Sequence, residues 1–428
     1  MASPPRNVVL IVVDTLRADH LGAYGYARPT SPNLDRFMAE SVTFDSARSQ
    51  AACTFPSVNS LLTSRAAVRF LDQPAQDFGI PSSMVSLPEV LSRQGYDTAA
   101  ISASAIVRAT PSRFNPHGGF GRGFASFDED CAWKSADCVN AKAFTFLGSS
   151  RAARPFFLYL HYIDPHGPYR APPTQSRLFA GSAPAAWPAW VAGGDPNPLA
   201  AMLYAPGGKA AAVDRAQLAH LVDLYDDEIH YFDGQFAALL AELSGRGLDR
   251  STIVIFAADH GEHFLEHGEL KHCRSVFDVE VRTPLAMRIP DQSPRRVKRA
   301  VENLDIGPTV TALLGIDAAP LAFEGTSLLA PDAEAERGAF SAQGTQRSVV
   351  RGRLKLIHDL DTGHSMLFDL ASDPGEMHDV ARQRPEDFRA LRQLLIGWVA
   401  RVEGGGARKS VDAAKAAEQQ LKSLGYLE

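Results

Sequence analysis

Long apolar runs recur along the chain and are typical of strands that are buried on both faces of a sheet. They cover residues 7–13, 98–103, 155–162, 251–258 and 283–289. Segments with the apolar spacing of a helix lie between them, most clearly from Gln217 to Leu243. Because strands that alternate with helices form parallel sheets, this pattern predicts an α/β fold with a mainly parallel sheet sandwiched by helices.

The pattern changes after residue 335, where short strand-like segments follow one another directly. They cover residues 346–350, 354–358 and 366–370, and a helical pattern from Pro385 to Val402 follows. This predicts a smaller C-terminal α+β subdomain with a small antiparallel sheet. We therefore divide the chain into a large domain over residues 1–335 and a subdomain over residues 336–428. A glycine run at residues 404–406 is expected to lead to a last amphipathic helix.

The composition is that of a large globular protein without a membrane span. With 428 residues, of which 45% are hydrophobic and 21% charged, the chain can form one large core and a smaller second unit. No run approaches the roughly 18 apolar residues of a transmembrane helix. The net charge of -6 gives no support to binding of nucleic acid or of anionic membranes.

The N-terminus and the cysteines bear on the compartment of the protein. The first predicted strand begins near residue 7, which leaves no room for a secretory leader in the chain as written. The chain as written is thus expected to be cytoplasmic, or periplasmic or exported if a leader was removed. Cys131 and Cys138 lie in a polar loop and could pair outside the cytosol, whereas Cys53 and Cys273 are expected to be ordinary buried thiols.

The segment from Cys53 to Thr63, C-T-F-P-S-V-N-S-L-L-T, contains a candidate nucleophile at the start of a helix. A lone T-x-P-S would be interpreted as a helix N-cap with proline in the first turn. The segment resembles the active-site signature C/S/T-x-P-S-x-x-x-L-L-T of the sulfatase branch of the alkaline phosphatase superfamily. Counting back from Pro56 and Ser57 places Thr54 at the reactive position and Cys53 one residue too early.

Other segments resemble motifs of the same family and occur in the family's order. They cover residues 14–26, 28–35, 161–169, 259–262, 303–309 and 373–376. The resemblance covers nearly the whole chain. It implies an alkaline phosphatase-like fold, with a mixed, mainly parallel sheet sandwiched by helices and a smaller C-terminal subdomain.

The resemblance also implies one divalent metal cation. Its ligands would be Asp14 and Asp259, each directly after a predicted strand, together with His260 and the Thr54 oxygen. The carboxyl ends of strands are where open α/β folds place their ligands. This mixed, mostly hard set of ligands leaves Ca²⁺, Mn²⁺, Mg²⁺ and Zn²⁺ open.

Basic side chains in the matching motifs are expected to bind a small anionic ester. By resemblance, His166 contacts the transferred group and protonates the leaving oxygen, and His272 acts as a second catalytic cation. Lys271, Arg17 and His161 are expected to contact the substrate. Solvated surface charge is the alternative for Lys271, and a role in holding its loop is the alternative for His161.

The identity of the nucleophile points toward phosphorus chemistry. In the family's true sulfatases, the reactive Cys is oxidised to formylglycine, and the maturation enzyme recognises Pro and Arg two and four residues later. Measured from Cys53, these positions hold Phe55 and Ser57. A Thr adduct must be displaced by a second acceptor, which suits a phosphoester.

The preferred interpretation is therefore a metal-dependent hydrolase of phosphodiesters or phosphonate monoesters with a Thr54 covalent intermediate. Alternatives are a sulfuric ester hydrolase, a phospho-group transferase that uses the same Thr, and an inactive binding protein on the same fold. Residues 171–208, which include Trp187 and Trp190, would form either a lid over an apolar substrate group or a surface excursion.

Overall fold

The computed structural model describes residues 7–71, 79–149, 154–167, 169, 171–172, 177–181, 213–329 and 337–403. Ten strands lie among the described residues up to residue 302. They are β1 (Asn7–Val13), β2 (Val42–Arg48), β3 (Asp97–Ser102), β4 (Ser126–Asp128), β5 (Phe156–Tyr162), β6 (Thr252–Ala258), β7 (His263–Phe264), β8 (Leu270–Lys271), β9 (Leu285–Arg288) and β10 (Arg295–Glu302).

Eight of these strands form one mixed sheet in the order β10-β2-β9-β6-β1-β5-β3-β4, and β7 pairs with β8 in a separate ribbon. Strands β6, β1, β5, β3 and β4 are parallel, whereas β9 is antiparallel to both of its neighbours. The five predicted apolar runs correspond to β1, β3, β5, β6 and β9, which confirms the prediction of a mainly parallel sheet.

The helices of the described residues pack on both faces of this sheet and on the C-terminal sheet. They are α1 (Pro32–Ala39), α2 (Thr54–Thr63), α3 (Leu87–Arg93), α4 (Ala136–Leu147), α5 (Arg215–Gly245), α6 (Asp278–Val281), α7 (Ile306–Leu313) and α8 (Pro385–Glu403). Successive residues of β1 enter different cores because side chains alternate across a strand. Val9 packs in the core that contains α4 and α5, whereas Val8 packs in the core that contains α2 and α7.

The C-terminal sheet is antiparallel and consists of β11 (Ala339–Gln343), β12 (Gln346–Arg351), β13 (Leu354–Asp359) and β14 (Ser365–Asp369). Leu391, Leu395 and Trp398 of α8 pack against this sheet in a third core. The small sheet and its helix confirm the predicted fold class, although β11 was not predicted. The predicted boundary at residue 335, the last helix and most of the insert at 171–208 lie outside the described residues.

None of the described helices is both long enough and apolar enough to cross a lipid bilayer.

Buried charges connect the large sheet to the C-terminal sheet. Lys355 of β13 is fully buried, and its Nζ lies 2.7 Å from Asp278 Oδ1 and 2.8 Å from Glu376 Oε1. Arg48 of β2 binds the other oxygen of Asp278 at 2.7 Å. Each buried charge therefore faces an opposite charge, and removal of one of them would leave an uncompensated ion in the interior.

We expect Lys355→Met to lower the free energy of unfolding by about 3–5 kcal/mol, because Glu376 would remain buried without its cation and Asp278 would keep only Arg48. Equilibrium urea unfolding measures the loss. Lys298→Met, at an exposed position of β10, is the control and should change stability by less than about 0.5 kcal/mol. Equal effects of the two substitutions would contradict a role for the buried network.

Candidate active site

The carboxyl ends of three neighbouring strands bring the candidate metal ligands together. In the parallel register, Val13 of β1 pairs with Tyr162 of β5 and with Ala258 of β6. Asp14 and Asp259 each follow these strand ends by one residue and therefore lie side by side. Their backbone amides donate to Tyr162 O at 3.0 Å and to Val13 O at 3.3 Å, which continues the ladder into the site.

Thr54 is the first residue of α2, a helix in which all ten residues are buried. The preceding turn is fixed by Ser57, whose hydroxyl donates to Ala51 O at 2.7 Å and lies 2.9 Å from Ser49 Oγ. The Thr54 Oγ1 lies 3.2 Å from His260 Nε2. Because the positive end of the helix dipole lies here, negative charge near Thr54 is stabilised.

His260 is oriented by its own backbone neighbour. Its Nδ1 lies 3.0 Å from the carbonyl oxygen of Gly261 and must donate to it, so Nε2 faces the site. This Nε2 is 3.7 Å from Asp14 Oδ1 and 3.6 Å from Asp259 Oδ2. A Cβ at Gly261 would lie 2.1 Å from Val279 O, so the close packing of this turn requires glycine.

These acidic groups fit a divalent cation. Asp14 Oδ1 and Asp259 Oδ2 are buried and have no hydrogen-bond partner among the described residues. Burial and the neighbouring charge of Asp259 raise the pKa of Asp14 well above its ordinary value. Burial alone would lower the pKa of His260, but the carboxylates of Asp259 and Asp14 raise it. Two buried carboxylates that face each other are stabilised by a cation between them.

The structure adds His161 to this group. Ligand atoms of Asp14, His161 and Asp259 all lie within 4.8 Å of one another, and His161 Nε2 lies 3.6 Å from Asp14 Oδ2. Burial lowers the pKa of His161 to about 4, so its imidazole is neutral and can offer a lone pair. His161 was predicted to contact the substrate. Its complete burial beside Asp14 favours a role as a metal ligand instead. The parallel pairing of β5 with β1 brings His161 to the end of the sheet where Asp14 lies.

His166 and His272 lie beside the carboxylate group and form the other wall of the site. The ring centroid of His272 lies 4.6 Å from that of His260 and 5.1 Å from that of His166. His272 Nδ1 lies 2.9 Å from Glu262 Oε1, and the Tyr169 hydroxyl donates to Glu262 Oε2 at 3.0 Å. Glu262 thus orients His272. This role of Glu262 was not predicted, although the residue is part of the D-H-G-E motif.

The histidines of this wall are neutral before an anion binds. Burial, together with the charge of His260, lowers the pKa of His272 well below its ordinary value. Burial and His272 lower the pKa of His166 to about 3. His166 Nδ1 lies 2.6 Å from Gly167 O and donates to it, so the lone pair is on Nε2. The predicted proton donation by His166 therefore requires that it be protonated when the substrate binds.

Lys271 and Arg17, which were also predicted to contact the substrate, differ in how their charges are compensated. Lys271 is half-buried, and burial lowers its pKa to about 8 although Glu262 opposes this shift. Arg17 donates through Nε to Asp19 at 2.9 Å and through Nη1 to Glu262 O at 3.0 Å, and it also pairs with Glu266. The charge of Arg17 is thus already compensated by two carboxylates, which favours a structural role for this residue.

A disulfide between Cys53 and Cys273 corrects the expectation that both are ordinary buried thiols. The two residues are 220 positions apart, so their pairing could not be inferred from sequence spacing. The backbone brings them together, since Cys273 N donates to Ala52 O at 2.9 Å. The bridge joins the residue before Thr54 to the residue after His272. Cys53 is therefore not available as a reactive thiol.

The second pair of cysteines, Cys131 and Cys138, is also joined by a disulfide, in agreement with the predicted pairing.

A family model described as Sulfatase matches residues 6–316. The chain belongs to the sulfatase family. Arylsulfatase A from Bos taurus is 26% identical over an alignment that covers 92% of this chain and 88% of that protein. Iduronate 2-sulfatase from Homo sapiens is 25% identical, and the alignment covers 67% of this chain and 60% of that protein. The fold and ester hydrolase activity predicted by resemblance are thus confirmed.

Solved structures with the same fold act on different esters. Phosphonate monoester hydrolase of Agrobacterium radiobacter has a TM-score of 0.69 and 20% identity, and the match covers 94% of this chain and 96% of that one. A structure in complex with its substrate D-glucosamine-2-N,6-O-disulfate has a TM-score of 0.73 and 18% identity, with 94% and 99% covered. The family is generally metal-dependent, but the ester that this chain cleaves is not decided by these similarities.

We expect His161→Gln and Asp259→Asn to lower metal affinity by about tenfold or more, because each removes a candidate ligand. Metal content after dialysis, measured by mass spectrometry of the acid-digested protein, gives the result. His166→Gln is the matched control in the same site and should leave metal content unchanged. Full metal content in the His161 variant would return that residue to a role in substrate contact.

Proposed function

We propose that this chain hydrolyses phosphodiesters or phosphonate monoesters through a covalent intermediate on Thr54. The observation that carries the proposal is the placement of residues 53 and 54. Thr54 Oγ1 lies 3.2 Å from His260 Nε2 beside two buried carboxylates, whereas the neighbouring Cys53 is joined to Cys273. The Thr54 hydroxyl is thus the candidate nucleophile of the site. The Cys53 sulfur is in a disulfide, so this residue has no free thiol from which formylglycine could form.

The chemistry of the intermediate favours phosphorus over sulfur. A formylglycine hydrate can expel sulfate by itself because it has a second hydroxyl on the same carbon. Thr54 has no such group, so its adduct must be opened by attack of water on the transferred atom. In-line displacement at phosphorus is suited to two such steps, with inversion in each.

The charges of the site favour a substrate with a single negative charge. Asp14, Asp259 and Glu262 contribute carboxylates, while Lys271 supplies one cation and Arg17 is already compensated. With one divalent cation added, the positive charges of the site offset the charge of a monoanionic ester better than that of a dianionic phosphomonoester. A phosphodiester, a phosphonate monoester and a sulfate ester all meet this condition, so charge alone does not separate them.

The proposed reaction consists of two displacements. A divalent cation held by Asp14, Asp259, His260 and His161 would lower the pKa of the Thr54 hydroxyl and offset the charge of the ester. The Thr54 hydroxyl first loses its proton to solvent. The Thr54 oxygen attacks phosphorus, the bond to the leaving oxygen breaks, and protonated His166 donates its Nε2 proton to that oxygen. Water then attacks phosphorus, the bond to Thr54 Oγ1 breaks, and His166 Nε2 accepts a proton from the water.

A sulfuric ester hydrolase is the second candidate, because arylsulfatase A and iduronate 2-sulfatase are among the relatives. A phospho-group transferase would use the same intermediate if an alcohol replaced water. An inactive binding protein is less favoured, since Asp14, Thr54, Asp259 and His260 are all present and close together.

Thr54→Ala should lower kcat/KM for an aryl phosphodiester and an aryl phosphonate monoester by about a thousandfold or more, since the attacking oxygen is lost. Thr54→Ser keeps that oxygen and should retain activity. The paired substitution Cys53→Ala with Cys273→Ala should also retain measurable activity, because the bridge positions the site but does not react. Assays on matched phosphate and sulfate esters provide the comparison, and sulfate cleavage that depends on Cys53 and survives Thr54→Ala would contradict the proposal.

The pH dependence of kcat/KM should reveal Lys271 if it contacts the anion. Burial lowers its pKa to about 8, so the charged form is present below this pH and is lost above it. We expect kcat/KM to fall as pH rises through about 8. Lys271→Arg should remove this decline because arginine stays charged, and Lys271→Met should lower kcat/KM at neutral pH. If kcat/KM of both variants still fell at alkaline pH as in wild type, the decline would belong to another group.

An oxidising compartment forms part of the proposal, because all four cysteines of the chain are paired. Alkylation of thiols in freshly lysed cells, before any reductant is added, should leave all four cysteines unlabelled. Complete labelling of Cys53 and Cys273 in the native host would indicate a reducing compartment.

A further inference from the structure

An exposed tryptophan lies beside the catalytic histidines. Trp133 belongs to the segment from Cys131 to Cys138, which a disulfide closes into a loop. Trp133 is 44% exposed, whereas Cys131 in the same loop is completely buried. The loop is thus anchored in the interior, while its large apolar side chain remains in contact with solvent.

The backbone holds Trp133 in a conformation that bulky residues rarely adopt. Its φ of 61° lies in the left-handed region. The Trp133 amide donates to Ala103 O at 2.9 Å, and the next amide, that of Lys134, donates to Cys131 O at 2.8 Å. Unfavourable backbone conformations that the surroundings enforce occur often at functional sites.

The indole ring extends the wall that His166 begins. The ring centroids of Trp133 and His166 lie 5.5 Å apart, with an angle of 61° between the ring planes. The ring of Phe114 packs edge-on against another side of Trp133, with the ring centroids 5.5 Å apart. His272, His166 and Trp133 therefore follow one another outward from the candidate metal ligands.

We propose that Trp133 forms a subsite for a flat, apolar leaving group, such as an aryl group, on the ester. This inference rests on the proposed function, in which His166 protonates the leaving oxygen. A group attached to that oxygen extends from His166 toward its neighbour Trp133. An aromatic face favours planar apolar groups, and contact with one would remove the exposed indole from water.

The test compares two phosphonate monoesters that share the transferred group but differ in the leaving group, nitrophenyl in one and trifluoroethyl in the other. Wild type, Trp133→Ala and Trp133→Tyr are assayed on both. The ratio of kcat/KM values between the two esters cancels any general loss of activity. Met377→Ala is the control, since Met377 is 61% exposed and belongs to the C-terminal region.

We expect Trp133→Ala to lower kcat/KM for the nitrophenyl ester by about tenfold, mainly through a higher KM, while the trifluoroethyl ester changes by less than about twofold. Trp133→Tyr should restore most of the nitrophenyl rate, and Met377→Ala should change neither. An equal loss on both esters, or no loss on either, would overturn the subsite.

The subsite can also be tested if the proposed phosphoester substrate is wrong. If the enzyme cleaves only sulfate esters, the same ratio is measured on the nitrophenyl and trifluoroethyl sulfates. A selective loss on the aryl sulfate in Trp133→Ala would then support the subsite although the proposed phosphoester substrate is wrong. An unselective loss on those sulfates would overturn the subsite as well.

Discussion

The repulsion between two buried carboxylates governs the arrangement of the site. Asp14 and Asp259 are brought together by the parallel pairing of β1 with β6, and both lie where water can hardly reach them. Their charges must be balanced by a cation or by protons, since an isolated buried carboxylate is strongly disfavoured. The neutral His161 and the Nε2 of His260 complete a set of donors that suits a divalent cation.

The remainder of the fold serves to place a hydroxyl and an anion binding wall at this point. Helix α2 begins at Thr54, so its positive dipole end lies at the proposed nucleophile, where it would stabilise negative charge. The disulfide between Cys53 and Cys273 connects the start of this helix to the segment that carries Lys271 and His272. The proposed nucleophile and the proposed anion contacts are thus held relative to each other by a covalent link as well as by packing. In enzymes, such positioning contributes a large part of the rate.

Sequence patterns predicted the interior of the fold better than its edges. Strands β1, β5 and β6 are buried on both faces and are continuous apolar runs, so their positions were predicted within one or two residues. Strand β10 lies at the sheet edge and reads R-R-V-K-R-A-V-E, with exposed charged residues between buried ones. From the sequence alone, this pattern cannot be distinguished from that of a charged surface segment, so β10 was not predicted.

Within the site, motifs revealed residues that lie close together along the chain, and three-dimensional contacts revealed the rest. Thr54 was found because residues 54–63 resemble the family's active-site signature, with Pro56 and Ser57 at the matching positions. The pairing of Cys53 with Cys273 depends on loops that meet only after folding, across 220 residues. His161 could be placed in a strand, but its proximity to Asp14 follows from sheet register, which a single strand does not reveal.

The central claim is that the Thr54 oxygen attacks the ester. Rapid acid quench during turnover of an aryl phosphonate monoester, followed by proteolysis without reductant and mass spectrometry, tests it directly. We expect the peptide containing Thr54 to gain the mass of the transferred phosphonyl group while it is still bridged through Cys53 to Cys273, and we expect Thr54→Ala to abolish this species. An aldehyde at residue 53, or an adduct on another residue with residue 54 unmodified, would contradict the account.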